Sequence, residues 1–456
     1  MNKQSLSYFL QDYAEKRPQD ILEVSEAFEQ DFILMALAEE LDKKTQPPII
    51  KNKFKGCDIP IVSNLFASRE RIAYILNCDN EDNISLHWPT VEKNMVKPIL
   101  VENGPVQEVI ETGENINAEA YPWMQYYKTD AGRYISSGII AAKDPDTGIC
   151  NLSYHRMQCK SPTKFGISLH SRQHLFDYYQ RAEKKGEGLD AAIIIGAHPA
   201  VYLGAASKPA IDIDEYDIAG SILGEPLQLV KGKTVDVAYP AQAEIVLEGK
   251  ILPFTREPEG PFGEFTGYST SRSTENVFVV TAICRRAKPT YLITIPGAAK
   301  DHIYLSRVAR EAAVFQRLKE RIPWVKNIAY PKSGVNFHCY LSLKPCPAGI
   351  PKQALTLLMG LDHYIKFAVA VDEDININND SEVLWAIATR YQAKRDSFII
   401  PNSFIISLDP SSENNTSDKL AIDATMTEKM RNETTILAVE PEHKKYAESI
   451  LKQNNL

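Results

Sequence analysis

The chain is predicted to fold as a multidomain α+β and α/β protein, with an α/β segment on either side of a β-rich middle. Three observations lead there. Its 456 residues exceed what one hydrophobic core supports. Strand-like stretches crowd residues 134–295, with few helical patterns between them. A long apolar periodicity over 301–322 then leads into alternating strands and helices. The expected division is an N-terminal α/β domain over 1–120, a central β domain over 121–300, a linker helix over 301–325, and a C-terminal α/β domain over 326–456.

The elements follow in order. Leu6, Phe9, Leu10 and Tyr13 stand at helical spacing within 5–16, and Phe28, Phe32, Met35 and Ala36 repeat the pattern over 26–43. Pro47-Pro48 ends that helix. A strand is expected at 59–64, then a helix holding Arg69, Arg71 and Ile75; 98–101 and 106–111 complete the first domain. The stretch 133–142 alternates like a strand, and Asp144-Pro145-Asp146-Thr147-Gly148 is a turn joining it to 149–158. A helix over 172–185 is stopped by Gly186. Strands are expected at 191–195, 227–238, 243–251, 277–284 and 290–295, enough for a closed or partly closed sheet. The helix over 301–322 is an inter-domain strut, and helices at 353–361 and 381–389 with a strand at 367–371 form the last domain. The polar stretch 411–418 reads as a loop.

Composition narrows the function. Hydrophobic residues at 44% and charged residues at 24% are ordinary for a globular protein, and no apolar run is long enough for a membrane span. A net charge of −8 without a basic stripe argues against nucleic acid. Seven cysteines, an odd set with no CxxC pair, fit reduced thiols, and the charged N-terminus lacks a signal-peptide core. The expected setting is cytoplasmic, and the expected class is an enzyme.

The chemistry centres on Glu259-Gly260-Pro261-Phe262-Gly263-Glu264-Phe265-Thr266-Gly267-Tyr268. Gly and Pro disfavour a helix here and impose a tight, bent loop that can aim both glutamates into one cavity. Two acids in one apolar pocket titrate differently, which suits one of them to general-acid work. The alternative is a β-turn with two solvated acids. Three further places stand out. Asn151, Ser153 and His155 alternate onto one face of a strand, with Arg156 on the other unless a bulge intervenes. An arginine offers a planar fork matched to carboxylate or phosphate, or else a surface ion pair. Gln173-His174 opens a helix whose N–H groups suit phosphate and whose imidazole suits a metal, with His170 a rival and a structural histidine the bland alternative. Asp212, Asp214, Glu215 and Asp217 form an acidic cluster suited to a hard cation, or a solvated loop.

In this order the residues resemble the UbiD family of prenylated-flavin-dependent decarboxylases. The resemblance runs from Val62–Arg69 through Gly148–Gln158, Gly196–Ala206, Ala243–Gly249 and Pro258–Tyr268 to Trp385–Arg390 and Asp423-Ala424-Thr425. It implies a split β-barrel of the flavin-reductase type in the middle domain. It implies a catalytic network of Arg156, Glu259 and Glu264, with Glu264 the proton donor and Arg156 orienting the substrate carboxylate. Asn151, His174 and Glu215 fall on the ligands of Mn²⁺ or Mg²⁺ at the cofactor phosphate, and Ser153, Tyr154, Arg156 and Gln173 on the flavin contacts. A K⁺ near Glu215 is also implied, although Lys208 puts a positive charge in that stretch. The resemblance further implies a carboxylic acid substrate, a UbiX-type flavin prenyltransferase as cofactor supplier, and a homodimer or higher homo-oligomer. The competing readings are a flavin- or phosphate-binding protein without turnover and a metal-dependent hydrolase.

Overall fold

The computed structural model describes residues 2–169 and 174–453. It begins with a helix, Leu6–Lys16, whose N-terminus is capped by Ser5 Oγ accepting from the Tyr8 amide at 3.1 Å. The helix expected over 26–43 is shorter, Ile33–Leu41. Tertiary bonds hold the missing part extended. The Phe28 amide donates to the Lys53 carbonyl at 2.9 Å, and the Asn52 amide nitrogen donates to the carbonyls of Val24 and Glu26. Phe32 then takes a φ of 68°, which a helix interior does not allow.

A four-stranded sheet runs Ile21–Glu23, Ile49–Lys53, Pro60–Ser63 and Tyr291–Ile293. Its last strand comes from far along the chain and lies parallel to Pro60–Ser63.

The central sheet has nine strands, here β1 (Val109–Thr112), β2 (Tyr134–Ile135), β3 (Ile139–Lys143), β4 (Cys150–Tyr154), β5 (Met157–Ser161), β6 (Lys164–Ile167), β7 (Leu189–Ile195), β8 (Ile245–Glu259) and β9 (Ser273–Arg285). The pairing path is β2-β5-β6-β9-β8-β7-β3-β4, with β1 added on β9. Among the described residues the two ends of this path do not pair, so the sheet is not a closed barrel. Two expected strands break. The stretch 133–142 divides at Gly138, where an added Cβ would lie 2.4 Å from the Met157 side chain. The stretch 227–238 divides near Gly232, where one would lie 2.5 Å from the Val235 carbonyl oxygen.

Helices α1 (His174–Lys184), α2 (Pro199–Ala206) and α3 (Glu215–Leu223) flank this sheet. The strut is α4 (Lys300–Arg321), and its burial shows how it joins the parts. Leu305, Val308, Ala309 and Ala312 belong to one core with Leu6, Leu152, Tyr202 and Val246. Val314, Phe315 and Leu318 belong to another with Leu341, Leu355 and Ala370. One helix is thus buried in two cores in succession.

The C-terminal sheet is ordered Val325–Ala329, His338–Leu343, Phe367–Asp372, Thr416–Asp423, Ser397–Phe404, with helices Ile350–Leu361 and Asp380–Arg390. The loop expected over 411–418 is shorter, because Thr416 already pairs with Phe404. No helix among the described residues is long and apolar enough to cross a membrane. All seven cysteines are free.

Candidate active site

The strand expected over 149–158 is two strands, and the gap between them positions the arginine. β4 pairs with β3, whereas β5 pairs with β2 and β6, so the chain changes partners at His155 and Arg156. His155 is buried, with Nδ1 2.9 Å from the Ser168 carbonyl oxygen and Nε2 3.2 Å from Ser153 Oγ. Arg156 turns toward the end of β8.

Glu259 lies at that end. It is a strand residue opposite Ser273 rather than a loop residue, because β8 continues eight positions beyond its expected end at 251. Its carboxylate is fully covered and holds the guanidinium at two nitrogens. Nη2 donates to Oε2 at 2.7 Å, and Nε lies 3.1 and 3.2 Å from the two oxygens. Glu264 receives the third nitrogen, with Nη1 donating to Oε1 at 2.5 Å, and keeps 14% exposure. The loop between the two acids is fixed from several sides. Gly260 has a φ of 80°, and Gly263 packs so closely on Tyr127 that a Cβ would lie 2.5 Å from its ring.

Three contributors to this arrangement had no signal in the sequence. Thr270 Oγ1 accepts from Arg156 Nη1 at 3.1 Å and donates to the Phe262 carbonyl at 3.1 Å. Asp130 accepts from the amides of Gly263 at 3.0 Å, Tyr127 at 2.8 Å and Tyr126 at 3.1 Å, although burial raises its pKa. Tyr134 packs its ring 4.5 Å from that of Phe262, which lies 5.6 Å from the guanidinium carbon of Arg156. Hydrogen-bonding residues of these kinds are common everywhere; only contact with the loop distinguishes them.

The expected metal ligands gather in part. Glu215 opens α3, capped by Asp214, whose Oδ1 accepts from the Tyr216 amide at 2.8 Å. Glu215 accepts from Asn151 Nδ2 at 2.8 Å and from the Leu152 amide at 2.9 Å. Burial pushes Glu215 up to about 8 and Asp214 up to about 7. Asn151 Oδ1 is buried with no hydrogen-bond partner among the described residues. An orphaned carbonyl oxygen beside a buried carboxylate fits an oxygen-seeking cation, which would satisfy the one and favour ionisation of the other. His174 opens α1, which packs on β4, and is half-buried with its pKa lowered by burial. Among the described residues no group of three or more His, Cys, Asp or Glu side chains is gathered for a metal; the expected set contains two of these types and an Asn.

The other predicted residues divide. Ser153 is buried against His155. Tyr154 donates its hydroxyl to the Tyr202 carbonyl at 2.7 Å, which commits its ring to the core. Gln173 and His170 lie outside the described residues. Among the charges that shift the Lys208 amine are Arg310 and Asp362, so its neighbours include the strut and the C-terminal domain. Two surface depressions, one lined by Leu10, Lys51 and Thr290 and one by Arg321, Gln353 and Gly360, hold none of these residues.

Comparison with known proteins bears on the whole chain. Models of the 3-octaprenyl-4-hydroxybenzoate carboxy-lyase match three consecutive stretches: its N-terminal domain over residues 14–85, its Rift-related domain over 99–299 and its C-terminal domain over 303–424. The anhydromevalonate phosphate decarboxylase of Methanothermobacter thermautotrophicus is 33% identical over 407 residues, covering 88% of this chain and 92% of that protein. The UbiD-class enzyme HmfF from Pelotomaculum thermopropionicum, solved with FMN, superposes with a TM-score of 0.92 at 36% identity, covering 97% of this chain and 98% of that one. An evolved dimeric form of HmfF, solved with prFMN, gives a TM-score of 0.88 at 34% identity over the same shares. The sequence resemblance therefore holds across all three parts of the molecule, and the chain belongs to the UbiD family of carboxy-lyases.

Proposed function

We propose that this enzyme carries out the reversible, non-oxidative decarboxylation of an aromatic, heteroaromatic or α,β-unsaturated carboxylic acid with bound prenylated FMN. The observation that carries this reading is the unequal grip of two acids on one arginine. Glu259 holds Arg156 at Nε and Nη2 from a fully covered position, while Glu264 holds Nη1 alone and is partly exposed. Glu264 is thus the partner that can leave. Its departure frees Nη1 for a substrate carboxylate, and Glu259 keeps the fork oriented while that happens.

Loss of CO₂ leaves an electron pair on an unsaturated carbon, and a protonated Glu264 closes the reaction by delivering its proton there. Prenylated FMN, when bound, supplies the electron sink that this step requires. Asn151 and Glu215, with His174, would hold Mn²⁺ or Mg²⁺ against the cofactor phosphate, with Ser153 and Tyr154 on the adjoining strand. The solved flavin complexes of HmfF support the cofactor assignment, and its dimeric form supports self-association of this chain. The relative acting on anhydromevalonate phosphate extends the substrate classes to be tested beyond aromatic acids.

The test is CO₂ release from a panel of such acids by protein co-expressed with a flavin prenyltransferase. Turnover that is abolished by Arg156→Ala supports the reading; an absence of turnover across the panel with flavin bound overturns it. The metal assignment is read separately by flavin absorbance. Glu215→Ala or His174→Ala protein is expected to purify without the chromophore, and full occupancy in both would remove these ligands.

A further inference from the structure

Glu264 stands near the tip of a hairpin that closes on itself. The Thr270 amide donates to the Phe262 carbonyl at 2.9 Å, Gly263 bridges to Ser269, and the Glu264 amide donates to the Tyr268 carbonyl at 3.0 Å. Such bonds give the hairpin its shape but not its place in the molecule. Once Glu264 releases Arg156, as the carboxy-lyase reading requires, the place of its carboxyl depends on what holds this backbone from outside.

The turn before β2 supplies that anchor. The Ala131 amide donates to the Pro261 carbonyl at 2.9 Å, and Asp130 Oδ1 accepts from the Gly263 amide at 3.0 Å. The second bond crosses 133 positions of chain and ends one residue before Glu264. The Tyr127 ring, already packed on Gly263, also fills the space beside Gly297, where an added Cβ would lie 2.5 Å from its hydroxyl oxygen. The hairpin is therefore unable to slide along the turn.

Asp130 is itself a fixed point. Its amide donates to the Tyr127 carbonyl at 3.0 Å, and Gln125 Nε2 donates to the Asp130 carbonyl at 2.9 Å. Gln125 is tied in turn to the N-terminal part of the chain. Its amide donates to Asp31 Oδ1 at 2.9 Å, and its carbonyl accepts from the Phe32 amide at 3.0 Å.

The two carboxylate oxygens of Asp130 divide their tasks. Oδ2 serves its own turn, accepting from the amides of Tyr127 and Tyr126, whereas Oδ1 reaches across to the hairpin. A carboxylate accepts on both oxygens, while a side-chain amide accepts on one atom and donates from the other. Asp130→Asn therefore retains one side and sets an N–H donor against an N–H on the other. The turn offers two amides to one oxygen, so the bond lost is the one that crosses to Gly263.

We propose that Asp130 is a positioning residue for the reaction, whose Oδ1 fixes the backbone at Gly263 and thereby holds the Glu264 carboxyl where its proton is delivered. This rests on the carboxy-lyase reading and adds to it a residue that acts through Glu264.

The experiment compares the flavin-loaded full chain with its Asp130→Asn variant in steady-state CO₂ release, with kcat counted per bound flavin. In the variant kcat is expected to fall by about 10–100-fold, the effect of a loosened proton donor, with KM for the acid, flavin content and flavin absorbance unchanged. Asp236→Asn makes the same chemical change on a side chain that is 92% exposed, and is expected to keep the wild-type kcat. A wild-type kcat in Asp130→Asn, or a loss of flavin that accounts for the whole effect, overturns the proposal. Site-resolved hydrogen exchange, read by mass spectrometry, gives a second measurement without turnover. The Gly263 amide is expected to exchange slowly in the wild type and about tenfold faster or more in Asp130→Asn, while buried Val246 and Leu247 of β8 stay protected in both. Rapid exchange at Gly263 in the wild type overturns the proposal even if Asp130→Asn does not fold. No turnover by the wild type defeats the carboxy-lyase reading and this proposal with it; turnover by the wild type with an unaffected Asp130→Asn defeats this proposal alone.

Discussion

Arg156 and Arg310 are both arginines set among carboxylates and aromatic rings, yet the protein treats them in opposite ways. Every guanidinium nitrogen of Arg156 has an acceptor, from Glu259, Glu264 and Thr270. Among the described residues Arg310 leaves two nitrogens without one, and the neighbouring Arg307 leaves two more. Arg156 alone takes both Glu259 and Glu264, whereas Glu311 gives both oxygens to Arg69 and Asp362 accepts from the Tyr330 hydroxyl and the Tyr364 amide. The satisfied arginine is held in one orientation by bonds at every nitrogen, whereas Arg307 and Arg310 lean on the rings of Tyr304, Tyr330 and Tyr364. The two arrangements sit on different elements, a strand junction for one and a long helix for the other.

The comparison breaks first at Glu264. Glu264→Gln retains the shape and an acceptor for Nη1 but carries no transferable proton, and the rate of CO₂ release should fall by about 10²–10⁴-fold. A rate near that of wild type would reduce the Arg156 network to a structural ion pair. Glu311→Gln probes the other region. It removes the carboxylate between Arg69 and Arg307 from a site with 2% side-chain exposure, and should lower unfolding stability in urea by about 3–5 kcal/mol. A loss below about 1 kcal/mol, the range of exposed pairs, would mean that these cations are not short of acid. Thr270→Val sharpens the first region by deleting one acceptor from Arg156 while keeping the volume. Steady-state kinetics should show turnover reduced by about tenfold, with flavin content unchanged. The smallest effect belongs to Glu40→Gln, whose partner Lys43 is as exposed as it is. Its melting temperature should match that of the wild type, and a measurable drop would undo the contrast between buried and exposed pairs.

Legibility in the sequence followed the range of the forces involved. The strut over 301–322 was readable because its apolar spacing persists for many turns, and the structure places it at Lys300–Arg321. The helix over 26–43 was overextended because the bonds that keep Val24, Glu26 and Phe28 extended come from Asn52 and Lys53 on a neighbouring strand. The break at Gly138 depends on Met157, which nothing local to 133–142 reveals. At the site, Arg156, Glu259 and Glu264 stood out through residue type, loop chemistry and family resemblance, and the structure gathers all three. Thr270, Asp130, Arg307 and Arg310 did not, since each is an ordinary residue until its neighbours are known.

The amino-acid order by itself determined the three-part organisation, the helix between the last two parts and the tight loop bearing two acids. Those features depend on periodicity, length and backbone freedom, which are properties of consecutive residues. Only the tertiary structure decided that Glu259 belongs to a strand, that Arg156 sits where the chain exchanges one strand partner for another, and that α4 carries guanidinium nitrogens without acceptors among the described residues. Hydrogen-bond satisfaction and charge balance are summed over groups from distant parts of the chain, and that sum exists only once the chain has folded.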